Sequence, residues 1–186
     1  MRKNFGKQTY FYPLPVLIIG SYDKDNKPNA MNAAWGGIYD TNQVIICLST
    51  DHKTTDNIKL KNEFTVSFAD SMHVVEADYV GIASGNDEDK IKKANLHVIK
   101  SEFVDAPYFE EFLMTLECRV NKITEDDGTT WVVGDIINVN ADESVLTDGK
   151  IDLSKLRIIS YDPVHHTYVE LGNKVGHAFK DGLKLK

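Results

Sequence analysis

Cysteine is scarce in this sequence, and long apolar runs are missing from it. Only two cysteines, Cys47 and Cys118, occur among 186 residues, far apart and each inside an apolar segment. A buried free thiol is the usual state of such residues, so we predict no disulfide and a reducing, cytoplasmic setting. No stretch approaches the length of a membrane-spanning helix. The basic N-terminus precedes only a short, proline-containing run, which we expect to form a strand and not a signal peptide.

Positive charge is also in short supply. Lys and Arg total 21 against 28 Asp and Glu, which gives a formal net charge of −7. A chain of this sign lacks the broad positive field that attracts nucleic acid or anionic lipid. We therefore predict no nucleic-acid partner and no membrane partner, although a small basic pocket within the acidic surface is allowed.

Two common signatures of cofactor and metal sites are absent. The glycines of GIASG, residues 81–85, do not match the dinucleotide-binding fingerprint, because no strand–turn–helix unit surrounds them. His165 and His166 are adjacent, and no cysteine or third histidine completes a ligand set with them. The sequence therefore favours neither a doubly wound nucleotide-binding sheet nor a metal site.

Strand-like patterns, in contrast, fill most of the chain. The hydrophobic fraction of 42% supports one packed core, so we predict a single domain over residues 1–186. Short turns separate the apolar runs, and an Asp-Gly pair marks a hairpin, so the strands should be antiparallel. The pattern predicts a mainly β fold, a closed antiparallel barrel with helical insertions. The predicted strands are 14–22, 30–39, 44–50, 63–69, 115–124, 130–140 and 156–161.

Helical patterns interrupt the strands in three places. A short helix is predicted over 54–62, with Thr54 or Thr55 as its N-cap. Two further helical segments are predicted over 73–84 and 86–96. The many charges of the last segment indicate a solvated helix face with charge pairs one turn apart.

The stretch MNAAWGG, residues 31–37, suits a packed strand poorly. Small residues and glycine leave the pleated surface unfilled, where β-branched residues would be expected. Bare backbone at Asn32, Ala33 and Ala34 could instead approach a flat ligand closely. For Trp35 the alternative is a core aromatic residue, which is common for its type.

A second unusual segment is STDHKTTDN, residues 49–57. Hydroxyl and cationic side chains are concentrated here just before a predicted helix, namely Ser49, Thr50, His52, Lys53, Thr54 and Thr55. Free N–H groups at a helix N-terminus and a lysine together favour a bound phosphate. The alternative is an ordinary capped loop. Together with the lean strand before it, this segment predicts a site for a phosphorylated aromatic cofactor.

Several separate blocks of the sequence occur in the order found in one known family. They are PLPVLIIGSYDKDNKPNAMNAAWGG, STDHKTTDNI, ADYVGIASGNDEDKIKKANL, VDAPYFEEF, LECRV and VGDIINVNADESVLTDGKIDLSKL. The chain resembles, over nearly its whole length, the flavin reductase-like, flavoredoxin-type family of FMN-binding split barrels. The resemblance implies a six-stranded antiparallel Greek-key split barrel, FMN as cofactor, and a homodimer with the flavin near the subunit interface.

The resemblance also implies which residues would contact the cofactor. Those beside the isoalloxazine would be Asn32, Ala33, Ala34 and Trp35. Those around the ribityl phosphate would be Ser49, Thr50, His52, Lys53, Thr54, Thr55 and Asn57. No residue is expected to act as a general acid or base.

One departure from the family pattern concerns the nicotinamide site. Many flavin reductases of this family carry a histidine in the segment G-x-H-x-x-x-x-G-E, whereas this sequence reads DGTTWVVGDI. Thr129 or Thr130 stands where the histidine is expected, and Asp135 replaces the glutamate. Hydride transfer itself needs no acid–base residue if the two rings stack correctly.

Two functions from different classes follow. The first is an FMN-dependent oxidoreductase that transfers electrons from NADH, NADPH or another donor through the flavin to a small acceptor. The second is a flavoprotein electron carrier that docks to a redox partner without turnover of its own, which the missing histidine favours. A barrel that has lost its flavin is a third alternative.

Overall fold

The computed structural model describes all 186 residues as strands, short helices and connecting turns. The strands are β1 (Leu14–Pro15), β2 (Leu17–Tyr22), β3 (Pro28–Ala33), β4 (Gly36–Asp40), β5 (Gln43–Ser49), β6 (Glu63–Phe68), β7 (Val98–Lys100), β8 (Pro107–Phe109), β9 (Met114–Asp126), β10 (Thr129–Ala141), β11 (Leu146–Thr147), β12 (Lys150–Ile151), β13 (Ile159–Asp162) and β14 (Thr167–Glu170). The helices are α1 (Lys53–Lys61), α2 (Val74–Ile82), α3 (Lys90–Lys93) and α4 (Leu153–Leu156), with 3-10 turns at Glu143–Val145 and Asp181–Leu185.

The main sheet closes into a barrel. Its seven antiparallel strands follow the order β3-β2-β6-β9-β10-β5-β4. The two strands at opposite ends of this order, β3 and β4, are joined by only Ala34 and Trp35. Because so short a link cannot cross an open sheet, the sheet must curl until its two edges meet. The predicted mainly β, antiparallel split-barrel fold is confirmed.

The strand count differs from the predicted six for a local reason. The segment 30–39, predicted as one strand, breaks at Ala34 and Trp35. Its first half pairs with β2 at one edge of the sheet, and its second half pairs with β5 at the other edge. One predicted strand therefore becomes two, and the same break leaves the backbone between them outside any ladder.

The other strands lie close to their predicted positions. The hairpin of β9 and β10 turns at Asp127 and Gly128, which both have positive φ (43° and 75°) as the Asp-Gly signal predicted. The last predicted strand, 156–161, begins only at Ile159, because α4 and a left-handed Arg157 precede it. A small three-stranded sheet joins β1, β13 and β14 beside the barrel.

The helices start and end differently from the predictions. The N-cap of α1 is His52, so Thr54 and Thr55 lie inside the first turn and the predicted threonine caps are wrong. The segment 86–96 contains only the single turn α3, which begins where the Asp89 side chain accepts a hydrogen bond from the Lys92 N–H. Lys90 in this turn is buried, so the prediction of a wholly solvated face is wrong there.

Two apolar clusters flank β2. Leu17 and Ile19 point into the barrel interior with Phe64, whereas Ile18 points to a second cluster under α2 and α3. Gly134 is required inside the barrel, because a Cβ atom there would lie 2.6 Å from the Phe64 ring. β2 is therefore buried on both faces and supports everything built on its neighbour β3.

The two cysteines differ in burial. Both thiols are free, and Cys118 is fully buried, but Cys47 is only half-buried. The prediction of a buried thiol is therefore wrong for Cys47.

None of the helices has the length and apolarity needed to cross a membrane.

Candidate functional site

A cleft runs along one side of the barrel at the break between β3 and β4. It consists of a larger cavity of about 590 Å³ and a smaller one of about 430 Å³. The two cavities share Met31, His52, Gly81 and Ile82, so they lie side by side. Each is within the size range of sites that hold small ligands and cofactors.

The β3–β4 break forms the first wall of the larger cavity. Asn32, Ala33, Ala34 and Trp35 all line it. The N–H groups of Ala34 and Trp35 find no acceptor in the chain, so this backbone can donate to a ligand. Trp35 is 58% exposed, so the alternative that it is a core aromatic residue is wrong.

Side-chain contacts hold this wall in place. The Asn32 amide donates to the backbone oxygen of Ala77 in α2, with 3.0 Å between Nδ2 and O. The Cys47 N–H donates to the Trp35 oxygen at 2.8 Å. The lean segment is therefore fixed between α2 and β5, with one face toward the cleft.

The start of α1 borders the smaller cavity. Asp56 is the first residue of α1 whose backbone N–H has an acceptor, the His52 oxygen. The N–H groups of Lys53, Thr54 and Thr55 have no acceptor in the chain, and no side chain caps the helix. Such orphan donors, aligned with the positive end of the helix dipole, form an anion-binding position.

The predicted phosphate residues divide into two groups. Ser49, His52, Lys53 and Thr54 line the cleft. The other three predicted residues are not among those that line the cleft, and each is hydrogen-bonded within the chain: Thr50, Thr55 and Asn57. The Thr55 hydroxyl donates to the Ser49 oxygen at 2.7 Å, the Asn57 amide donates to the Ser21 hydroxyl at 3.1 Å, and the Thr50 hydroxyl lies 3.2 Å from that of Thr130.

Two lysines, Lys53 and Lys90, and two aspartates, Asp51 and Asp87, line the smaller cavity. Lys53 forms a salt bridge with Asp23, with 3.2 Å between Nζ and Oδ2. Lys90 is only 5% exposed, and its ammonium donates to the Val80 oxygen at 2.9 Å with no carboxylate partner. Burial lowers the pKa of Lys90 to about 8. A buried, unpaired cation is costly, and a bound anion would offset that cost.

The remaining walls come from segments that the sequence analysis did not assign to the site. Asp78, Gly81 and Ile82 of α2 line the larger cavity, and residues 83–87 continue into the smaller one. The small residues of GIASG were a usable signal, because small side chains let the backbone approach a ligand. The larger cavity is also lined by Tyr161, His166 and Tyr168, which belong to β13, β14 and the turn between them.

The threonines at the family's histidine position lie in different environments. Thr129 lines the cleft, whereas Thr130 is fully buried and its hydroxyl lies 3.2 Å from a Glu125 oxygen. Asp135, which replaces the family's glutamate, accepts hydrogen bonds from Gln43 and Asn121. Asp135 is not among the residues that line the cleft.

Comparison with known proteins gives the class to which this fold and cleft belong. A sequence-family profile described as "Flavin reductase like domain" matches residues 9–155. The chain therefore belongs to the flavin reductase-like domain family, and the predicted family is confirmed. The matched segment includes β1 to β12, α1, α2 and α3, and it ends before β13.

Three individual proteins are similar to this chain over most of its length. The solved structure of flavoredoxin of Desulfovibrio vulgaris (Miyazaki F) is similar with a TM-score of 0.93 and 36% identity, over 98% of this chain and 100% of that chain. Flavoredoxin from Methanosarcina acetivorans gives a TM-score of 0.91 and 30% identity, over 100% of both chains. An uncharacterized protein of Archaeoglobus fulgidus is 31% identical over 147 residues, which cover 78% of this chain and 81% of the relative.

Proposed function

We propose that the cleft binds FMN and that the protein is an FMN-dependent oxidoreductase, which passes electrons from NADH, NADPH or another donor to a small acceptor. The observation that carries the proposal is the convergence of the uncapped α1 N-terminus and the buried Lys90 on one end of the cleft. The larger cavity beside it is bordered by lean backbone and by Trp35. A phosphate joined to a flat ring matches both ends.

The smaller cavity fits the phosphate of FMN. Lys53 and Lys90 supply positive charge, and the first turn of α1 supplies N–H donors. The Thr54 hydroxyl accepts a hydrogen bond from the Asn29 amide at 2.8 Å, which orients it at the edge of the cavity. Hydrogen bonds to an ionised group are about twice as strong as neutral ones, so this end should contribute much of the affinity.

The larger cavity fits the ring. The N–H groups of Ala34 and Trp35 can donate to the polar edge of the ring, while the Cys47–Ser49 segment of β5 borders the same cavity. Bound flavin would supply the electron transfer chemistry, and the protein would bind, orient and shield it. The residues that would hold FMN are those that line the cleft: Asn32, Ala33, Ala34, Trp35, Ser49, His52, Lys53, Thr54 and Lys90.

The experiment that tests this function measures cofactor binding and then turnover. FMN and riboflavin are titrated into the purified protein, with quenching of flavin fluorescence as the readout. We expect FMN to bind at least tenfold more tightly than riboflavin, because only FMN carries the phosphate. Equal affinities for FMN and riboflavin would show that the protein has no phosphate site. A preparation that stays colourless after incubation with FMN would indicate a barrel that has lost its flavin.

The electron carrier is the second candidate function. The observation that favours it is Thr129, which lines the cleft and is one of the two threonines that stand where the family pattern has a histidine. Steady-state oxidation of NADH and NADPH by the FMN-loaded protein separates the two candidates. Turnover well above that of free FMN supports the oxidoreductase. Turnover no faster than that of free FMN, by a protein that binds FMN tightly, supports the carrier.

A homodimer is part of the proposal. Exposed apolar side chains lie next to the cleft on neighbouring strands, namely Trp35, Ile38, Tyr39 and Trp131. Trp131 lies directly opposite Cys47 in the ladder, and the Cys47 N–H donates to the Trp35 oxygen, so the two tryptophans lie near each other. A second copy of the chain would bury these exposed side chains. Light scattering should give twice the chain mass of 20.9 kDa, and Trp131→Glu should shift the protein toward the monomer.

The single domain over residues 1–186 and the cytoplasmic setting stay predictions from the sequence.

A further inference from the structure

One wall of the cleft lies outside the family segment. Tyr161, His166 and Tyr168 belong to the β13–β14 hairpin, whereas the matched segment ends at residue 155. The hairpin reaches the cleft because β13 pairs with β1, next to β2 of the barrel. The residues matched by the family profile therefore do not form this side of the cleft. The hairpin forms it and so limits which ligands fit there.

The hairpin is rigidly anchored. The Tyr168 hydroxyl donates to Oδ1 of Asp78 in α2 at 2.7 Å, and burial together with this bond raises the pKa of Tyr168. The turn is held by the Asp162 carboxylate, which accepts from the Val164 N–H at 2.9 Å and lies 2.7 Å from Nδ1 of His165. Side chains on a hairpin pinned at both ends can present a defined surface to a ligand.

The surface is aromatic. The Tyr161 ring lies between those of Tyr168 and His166, with ring centroids 6.0 Å and 6.3 Å away. Tyr161 and Tyr168 are half-buried, and His166 is exposed. The Tyr161 ring is tilted by 53° from that of Tyr168 and by 43° from that of His166, so a flat molecule would pack on the face of one of these rings.

Tyr161 and His166 also keep one hydrogen-bond donor available. The Tyr161 hydroxyl and Nδ1 of His166 are 2.7 Å apart. If the hydroxyl donates to Nδ1, the neutral imidazole carries its proton on Nε2. If Nδ1 donates, the hydroxyl proton is available instead. In either arrangement the pair has one N–H or O–H group left for a ligand, whereas the nearby Asp78 is already bonded to Tyr168.

We propose that Tyr161 and His166 form a subsite for a planar, conjugated molecule that carries a carbonyl or nitro oxygen, held by packing on the rings and by one hydrogen bond to that oxygen. The ligand would be the small substrate of the oxidoreductase, so this inference rests on the proposed function. A flat ligand of this class suits both the aromatic wall and the single donor. A charged or extended ligand would not use them.

The test compares two small molecules of the same shape. Acetophenone has the required oxygen, and α-methylstyrene replaces that oxygen with a CH₂ group. Isothermal calorimetry on the purified protein, with and without FMN, measures both affinities. We expect acetophenone to bind about tenfold more tightly, as one net hydrogen bond predicts.

Variants locate the donor. Because either residue alone can still donate, Tyr161→Phe and His166→Phe should each reduce the tenfold preference only in part, and the double variant should abolish it. His177→Phe is the matched control, because His177 is exposed, its side chain has no partner in the chain and it does not line the cleft. This control should keep the full preference.

Three results would overturn the proposal: no binding of acetophenone by the wild-type protein, equal binding of the two molecules, or a preference that survives in the double variant. Titration of the same samples with FMN measures cofactor binding, and so tests the proposed function independently of the subsite. A protein that discriminates acetophenone but does not bind FMN would retain the subsite and lose the proposed function.

Discussion

The two ends of the cleft are built by different parts of the chain and by different physical means. The phosphate end uses backbone donors and two lysines that lie within the family segment 9–155. One wall of the larger cavity uses tyrosine and histidine side chains from a hairpin beyond that segment. The first arrangement suits an anionic group, and the second suits a flat, uncharged one. The predictions below test this division.

The largest effect is expected at Lys90. Lys90→Met keeps the shape of the side chain and removes its charge, so FMN affinity should fall about a hundredfold, the range of a charge-assisted hydrogen bond. Riboflavin affinity should change less than twofold. Fluorescence titration measures both ligands, and Lys92→Met, an exposed lysine of the same turn, is the matched control. An equal loss for both flavins would show that Lys90 supports the ring end or the fold instead.

A pH dependence of FMN binding should follow from the same lysine. Burial lowers the pKa of Lys90 to about 8, and a bound phosphate would raise it again. FMN therefore binds the protonated form more tightly, and its affinity should fall as pH rises above 8, by up to tenfold per pH unit. Riboflavin titrations and the Lys90→Met variant should show flat profiles over the same range. A slope that persists in the variant would assign the effect to another group.

A smaller effect is expected at the hairpin. Tyr168→Phe removes the bond to Asp78 and should lower the free energy of unfolding by about 1 kcal/mol. Tyr39→Phe is the control, because Tyr39 is exposed and its hydroxyl has no partner in the chain. Urea denaturation measures both variants. FMN affinity should be nearly unchanged in the Tyr168 variant, and a loss as large as that of Lys90→Met would contradict the division between the two ends.

The strands and the general nature of the site could be predicted because their signals are local. Apolar alternation and the Asp127–Gly128 turn each specify a conformation without distant contacts. The hydroxyl and cationic side chains of residues 49–55 likewise predicted an anion site, and four of them, Ser49, His52, Lys53 and Thr54, line the cleft. Predictions failed where contacts with a distant element determine burial. Lys90, for example, lies in a charged segment but is buried against α2.

Sequence alone determined that this chain forms an antiparallel barrel with a cationic helix start next to bare backbone, because turn preferences and side-chain alternation act over a few residues. Only the tertiary structure decided that Lys90, α2 and the β13–β14 hairpin meet at the same cleft. Residues 90 and 166 are brought to it by barrel closure and by the pairing of β1 with β13. Contacts between such distant positions depend on the packing of the whole chain, which no local pattern encodes.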